Sequence, residues 1–359
     1  MRPKILVFTL VILCSALFAD SFPVPKLPFA PKIYPCFRAN GALEIDGRIG
    51  DTAWELAPWT DGFTDIEGEL KPAPFHDTRV KMLWDDEGIY FAARMEEPQI
   101  WAKLTDHDSV IFYDNDFEIF IDPDGDTHQY FELELNAFGT LWDLFLLKPY
   151  RDEHSSLNGW EAAGIKLAIG IDGTLNDPSD IDKAWYAEVF LPWEAVKELA
   201  HKACPPNPGD WWRVNFSRVH WDTEIIDGEY VKIPGKPEYN WVWSPQGLIN
   251  MHYPERWGLV FFLEKAEDLP KEGLSLPQIL LAEEYLRQLY YAQKQHWMDH
   301  GRYSQSLAEL GLEPFVFEGA KYIPRLETTS ASFLANLETD IFPTLRISEN
   351  GRLRRLEKH

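Results

Sequence analysis

Asp114-Asn115-Asp116-Phe117-Glu118-Ile119-Phe120-Ile121-Asp122-Pro123-Asp124-Gly125-Asp126 is the stretch whose reading decides the fold. In an extended chain successive side chains point to opposite faces. Phe117, Ile119 and Ile121 therefore share one face, and Glu118 and Phe120 the other. The Asp, Pro and Gly cluster that follows is a turn signal. From Tyr130 to Asn136 the chain alternates again, with Phe131, Leu133 and Leu135 inward and Glu132, Glu134 and Asn136 outward. Two alternating runs about a turn predict a β-hairpin. Its outward face carries carboxylates and an amide, groups that can grip a hydroxyl-rich ligand.

Similar short runs extend on both sides. Val80 to Trp84, Ile89 to Met95, Thr140 to Leu147, Ile165 to Ile171, Ala184 to Leu191, Trp212 to Trp221 and Gly258 to Leu263 all read as strands. Several are separated by turn signals such as Asp85-Asp86-Glu87-Gly88 and Asp172-Gly173. This pattern predicts an antiparallel β-sandwich over residues 36–265, immunoglobulin-like or jelly-roll-like. No βαβ alternation is visible, which argues against a dinucleotide fold. Residues 20–35 are Pro-rich and read as an extended linker. After Pro270 the character changes. Pro277 to His300 has helical spacing and Gly301 ends it. Ser330 to Leu337 and Pro343 to Leu356 follow as strands, with a hairpin turn at Glu349-Asn350-Gly351. Residues 275–359 thus form a small α+β appendix, whose protein partner the sequence does not name.

The first 19 residues read as a signal peptide: Arg2 and Lys4 precede an apolar run from Ile5 to Phe18. The run is shorter than a membrane span and no other is long enough. The expectation is a secreted or periplasmic protein without a membrane span. Removal of Cys14 would leave Cys36 and Cys204, which in an oxidising compartment make either one disulfide or two buried thiols. The formal charge is −24, and residues 273–359 are nearly neutral, with 10 Lys and Arg against 11 Asp and Glu. The acidity therefore belongs to the sandwich, and such a surface repels nucleic acid and anionic membranes.

Five segments, in order, carry a family likeness. They are Leu43-Glu44-Ile45-Asp46-Gly47 with Asp51-Thr52-Ala53-Trp54, Leu83 to Phe91, Asp116 to Asp122, Trp185 to Trp193, and Trp243-Ser244-Pro245 with His252 to Gly258. Together, over residues 36–263, they resemble the family 9 carbohydrate-binding modules and their DOMON-like relatives. The resemblance implies a β-sandwich, export and the binding of a poly- or oligosaccharide during glycan catabolism. It also implies a site in which two aromatic rings sandwich a sugar, while a carboxylate, an arginine and amides bind its hydroxyls. Glu118 falls at the carboxylate, Phe112 or Tyr113 at the first ring, and Met251 or His252 at the second. The arginine position carries Glu134, a departure from the family.

Other residues are candidates to complete that site. Alternation in Trp212 to Trp221 puts Arg218 and His220 on the face of Val214 and Phe216. Arg218 is then either a sugar-binding cation beside Glu118 or half of a structural ion pair. Asn136 offers an amide, and Trp243 offers a wall beside His252. Trp54, Trp84, Trp185, Trp193 and Trp257 sit in patterned runs and read as core. Trp101, Trp142, Trp160, Trp221, Trp241 and Trp243 are platform candidates. Asp122, Asp124 and Asp126 read either as a calcium loop or as an acidic hairpin turn. Two rival classes stay open. One is a glycoside hydrolase or its accessory subunit, which needs a carboxylate pair but announces no catalytic motif. The other is a haem-binding electron-transfer sandwich, with Met95 and His128 as ligands.

Overall fold

The computed structural model of the chain describes residues 21–153 and 155–356. The proposed signal peptide lies outside them. No helix among the described residues is long and apolar enough to cross a membrane.

The quoted stretch is a strand, Asp116–Asp122, paired antiparallel with Tyr130–Asn136. The turn between them is held by Asp122, whose carboxylate accepts the N–H groups of Gly125 at 3.1 Å and Thr127 at 2.9 Å. Gly125 has φ +72°, a conformation that costs a residue without Cβ least. Leu141–Leu146 extends this sheet on one side and Trp211–His220 on the other. A second antiparallel set runs Thr78–Trp84, Gly88–Glu96, Ala184–Pro192 and Lys166–Asp172. Phe117, Ile119, Ile121, Phe131, Leu133 and Leu135 share one core with Val80, Phe91, Trp185 and Val189 of the second set. The fold class is the expected sandwich.

One strand departs from the antiparallel expectation, in both of its pairings. Ile33–Arg38 joins the two sets by lying parallel to both Gly258–Leu263 and Thr78–Trp84. Its hydrogen bonds to two strands far along the chain leave no signal in local periodicity. The sandwich consequently begins before residue 36, with Tyr34 in its core. The Pro-rich segment ahead of it is bound rather than free. Arg256 Nη2 donates to the carbonyls of Leu27 and Pro28, both at 2.7 Å, and Phe22 packs edge-on against Tyr290.

Buried carboxylates also explain the first family-like segment. Glu188, fully buried, accepts the N–H of Gly47 at 2.8 Å and the indole N–H of Trp54 at 2.9 Å. The five tryptophans read as core, Trp54, Trp84, Trp185, Trp193 and Trp257, are all buried.

The appendix forms as a 22-residue helix, Ile279–His300, with the four-stranded sheet Arg325–Thr328, Phe333–Leu337, Thr344–Ser348 and Leu353–Leu356. Gly301 caps the helix in the left-handed region and donates to Trp297 O at 2.8 Å. The helix is fixed to the sandwich by buried polar contacts. Arg151 meets both oxygens of Glu255, at 2.8 and 3.1 Å, beneath the ring of Tyr253. Tyr291 donates to Glu255 at 2.5 Å, Tyr290 to Asp152 at 2.6 Å, and Lys294 pairs with Asp152 at 2.8 Å. Burial alone would raise the Glu255 carboxyl; Arg151, Arg287 and the Tyr291 hydrogen bond instead hold it down at about 2.

The disulfide expectation is corrected: Cys36 and Cys204 are free. Cys36 is fully buried within its strand, while the Cys204 thiol lies 3.8 Å from Trp193 O. Burial raises both thiols, Cys204 to about 12, so neither is a ready nucleophile in the native state. Both should resist a thiol reagent until the unreduced chain is unfolded and should then react together. A chain that shows neither thiol after unfolding would restore the disulfide.

Candidate functional site

The Glu118 face of the hairpin is covered, but incompletely. Ile111, Trp142, Val242, Met251 and Trp257 cluster over Phe120 and Tyr130 and seal one part of it. Beside them a cleft of about 390 Å³ stays open, within the range of small-ligand sites, roughly 300–1,000 Å³. Glu118, Glu132 and Glu134 form its floor. Phe112, Trp142, Tyr150, Met251 and His252 stand around it, with Asn240 and Asn250 at the edge.

Sheet register explains the floor. Glu118 lies opposite Glu134, Phe120 opposite Glu132, and Glu134 opposite Trp142, so these side chains share one face. Phe112 comes from a short 3-10 turn, Ile111–Tyr113, whose backbone is pinned when Phe112 N donates to Glu134 at 3.2 Å. His252 is set by its neighbours: its Nδ1 lies 2.9 Å from the Tyr130 hydroxyl, and its ring meets Tyr150 at 4.2 Å.

The electrostatics are unusual for a protein surface. Asp116, Glu118 and Glu134 bring carboxylate oxygens within 4.8 Å of one another. Burial pushes the Glu118 carboxyl up to about 7, although hydrogen bonds with Ser217 and Asp116 pull it partly back. Glu132 and Glu134 are also raised well above the ordinary value, by burial first and by the charge of Glu118 second. Like charges this close and this dry do not all ionise without a compensating cation. Glu132 Oε2, Asp116 Oδ2 and the Trp142 indole N–H are buried and have no hydrogen-bond partner among the described residues. The arrangement can stack a ring on aromatic walls and hold its polar groups on carboxylates from below.

Phe112, Glu118 and His252 are thus brought together, with Met251, Glu134 and the platform candidate Trp142. The other expected members lie elsewhere. Tyr113 is 53% exposed, off the cleft, beneath Lys232. Asn136 is consumed by its own turn: its amide donates to Leu104 O and Asp114, and its oxygen accepts from Phe138 and Thr140. Trp243 is buried in the core against Tyr34 and Phe216. Arg218 is on the wrong face. Ser217 is the residue that pairs with Glu118, and with period two its neighbour Arg218 points through the sheet. There Arg218 forms an ion pair with Glu97 at 3.0 Å and donates to Thr78 and Glu96 O. His220 joins the same Glu97, closing one end of the sandwich beside a smaller cleft lined by Phe75, Trp101 and Trp221. Of the other platform candidates, Trp241 stacks beneath His220 and Trp160 packs on Phe131.

Sequence reasoning set Glu132 on the outward, ligand-gripping face without naming it a site residue, and it missed Tyr150. Glu132 could have been found, since it is two residues from Glu134 on the same face. Tyr150 arrives from a loop after the sheet and leaves no periodic signal.

The Asp122, Asp124 and Asp126 carboxylates do converge, within 4.8 Å. Asp122 is spent on turn N–H groups, however, and Arg352 of the appendix donates to Asp126 at 2.6 Å. The structure therefore favours the hairpin turn, docked by an arginine, over the calcium loop. The haem arrangement is corrected. Met95 sits at the Arg218–Glu96 end of the sandwich, whereas His128 follows the turn after Asp122. The Asp116–Asp122 strand separates these ends by roughly 20 Å, too far for one iron.

Comparison with known proteins finds a likeness over part of the chain. Residues 45–159 match the family model described as carbohydrate family 9 binding domain-like. That segment is about a third of the chain and holds Glu118, Glu132, Glu134 and Trp142. No curated protein matches. Among solved structures, one similar chain is a Bacteroides uniformis protein described as carbohydrate-binding, with 15% identity and TM-score 0.48, covering 65% of this chain and 100% of its own. Two others are family 9 carbohydrate-binding modules from Caldicellulosiruptor kristjanssonii, in complex with glucose and with cellotriose. They share 13% and 14% identity, with TM-scores of 0.43 and 0.41. They cover 66% and 68% of this chain and 99% and 100% of their own.

Proposed function

We propose that this chain is a non-catalytic carbohydrate-binding protein, exported by its N-terminal apolar segment, that holds a poly- or oligosaccharide during glycan use outside the cytoplasm. The observation that carries the reading is the cleft itself. Glu118 is set on its floor between Phe112, Trp142, Tyr150 and His252, so that aromatic faces and hydroxyl-binding groups converge on one volume. The family match over 45–159 supports it, because the carboxylates and Trp142 come from that segment. Export is supported by Arg2, Lys4 and the run from Ile5 to Phe18.

Calorimetric titration of the mature chain with a panel of oligosaccharides tests the proposal. At least one should bind. Glu118→Ala should then weaken it by about 1.5–3 kcal/mol, the range for a hydrogen bond to a charged group, with the fold intact. A folded Glu118→Ala protein with wild-type affinity would move the site elsewhere.

A further inference from the structure

The cleft floor gathers more carboxyl groups than a neutral sugar needs. Asp116, Glu118, Glu132 and Glu134 are all at least nine-tenths buried and face one region. The lining contains no Lys or Arg, and His252 is its one basic side chain. Three buried carboxylates elsewhere are matched by arginine: Glu97 by Arg218, Glu255 by Arg151, Asp126 by Arg352. Single ones such as Glu188 are satisfied by N–H donors. The cleft gathers several with no Lys or Arg among its described lining residues.

The cleft also carries signs of a ligand independent of the acid cluster. Trp142 is 9% exposed, and its indole N–H finds no acceptor among the described residues although the side chain lines the cavity. A buried donor is thus left for a guest. The aromatic walls and the volume of about 390 Å³ exceed what a lone metal ion would occupy.

We propose that the cleft is selective for a cationic saccharide, an oligosaccharide of 2-amino-2-deoxyglucose units whose ammonium group sits among Glu118, Glu132 and Glu134 while its ring packs on the aromatic walls. This deepens the saccharide reading above and rests on it. The ammonium supplies the missing counter-charge, with three N–H donors for carboxylates that otherwise share protons. The ring's C–H face meets Phe112 and Trp142. An N-acetylated sugar carries no charge and adds bulk, so it loses the contact and gains nothing.

The test is calorimetric titration of the full mature chain at pH 6 and low salt with three tetrasaccharides: fully deacetylated glucosamine, its N-acetylated counterpart, and neutral β-1,4-glucose. The deacetylated form should bind about tenfold or more tighter than either neutral one, and the advantage should shrink as salt is raised. In Glu134→Gln, checked for folding by its thermal transition, the ratio between charged and neutral ligands should fall towards unity. Equal or tighter binding of a neutral tetrasaccharide to the wild type overturns the amino-sugar selectivity and leaves the saccharide reading standing. Binding of none of the three at any accessible concentration overturns the amino-sugar selectivity, and the wider oligosaccharide panel then decides the saccharide reading. Abolition of binding by a chelator also overturns the proposal, because a divalent cation would then be the counter-charge.

Discussion

Arg151→Ala should destabilise the protein by roughly 3–5 kcal/mol, the cost of stranding a buried carboxylate whose partner has been removed. Arg151 is the cation that Glu255 faces in the dry seam between sandwich and helix, and its guanidinium also lies over Tyr253 at 4.2 Å. Urea denaturation followed by tryptophan fluorescence reads the loss. A change under 1 kcal/mol would show that the seam is not stabilised by this pair. Glu255 gives the same contact a pH signature. Its folded carboxyl stands at about 2 against an ordinary 4.5. The stabilisation is therefore complete above about pH 4.5 and is lost as pH falls towards 2, amounting to about 3 kcal/mol over the window. Arg151→Ala should abolish most of that acid dependence as well as lower the plateau.

Glu118→Gln should do the opposite to the free protein and stabilise it at neutral pH. The Glu118 carboxyl is raised to about 7 from an ordinary 4.5 by burial. Between these values the native state keeps a proton that the unfolded state releases, so stability falls as pH rises from about 4.5 to 7. The fall attributable to this group approaches 3 kcal/mol above pH 7, and the amide escapes it. Denaturation at pH 4 should show the variant and wild type nearly equal, while at pH 8 the variant should be the more stable by up to about 3 kcal/mol. An equal difference at both pH values would mean that packing rather than charge accounts for it. Together with weakened saccharide binding, this outcome would mark Glu118 as a group kept for its ligand at the expense of stability.

Much of the sandwich could be read locally because its strands obey a period of two. Trp211–His220 and Asp116–Asp122 fall within a residue of the runs seen in the chain. The helix Ile279–His300 was legible from its spacing and from Gly301. Tyr239–Val242 was not, for its short, Trp-bearing run reads as loop, and it forms by pairing with Trp211–His220.

The site divides along the same line. Alternation alone determined that Glu118, Glu132 and Glu134 share the face opposite Phe117 and Leu133, and family likeness placed Glu118, Phe112 and His252 near one another. Alternation also held the information that Arg218 faces away, since it puts Arg218 with apolar Val214 and Phe216, the side of Phe117 rather than of Glu118. Only the tertiary structure decided that this outward face is itself covered, by the 110–112 turn and the 249–257 loop. Only it decided that Asn136 and Trp243 are used up in a turn and a core. Facing is a property of neighbouring residues and is written in the sequence. Desolvation and partnering depend on which segments close over that face, some near, like the 110–112 turn, and some, like the 249–257 loop, more than a hundred residues away, and those become visible only when the chain has closed over itself.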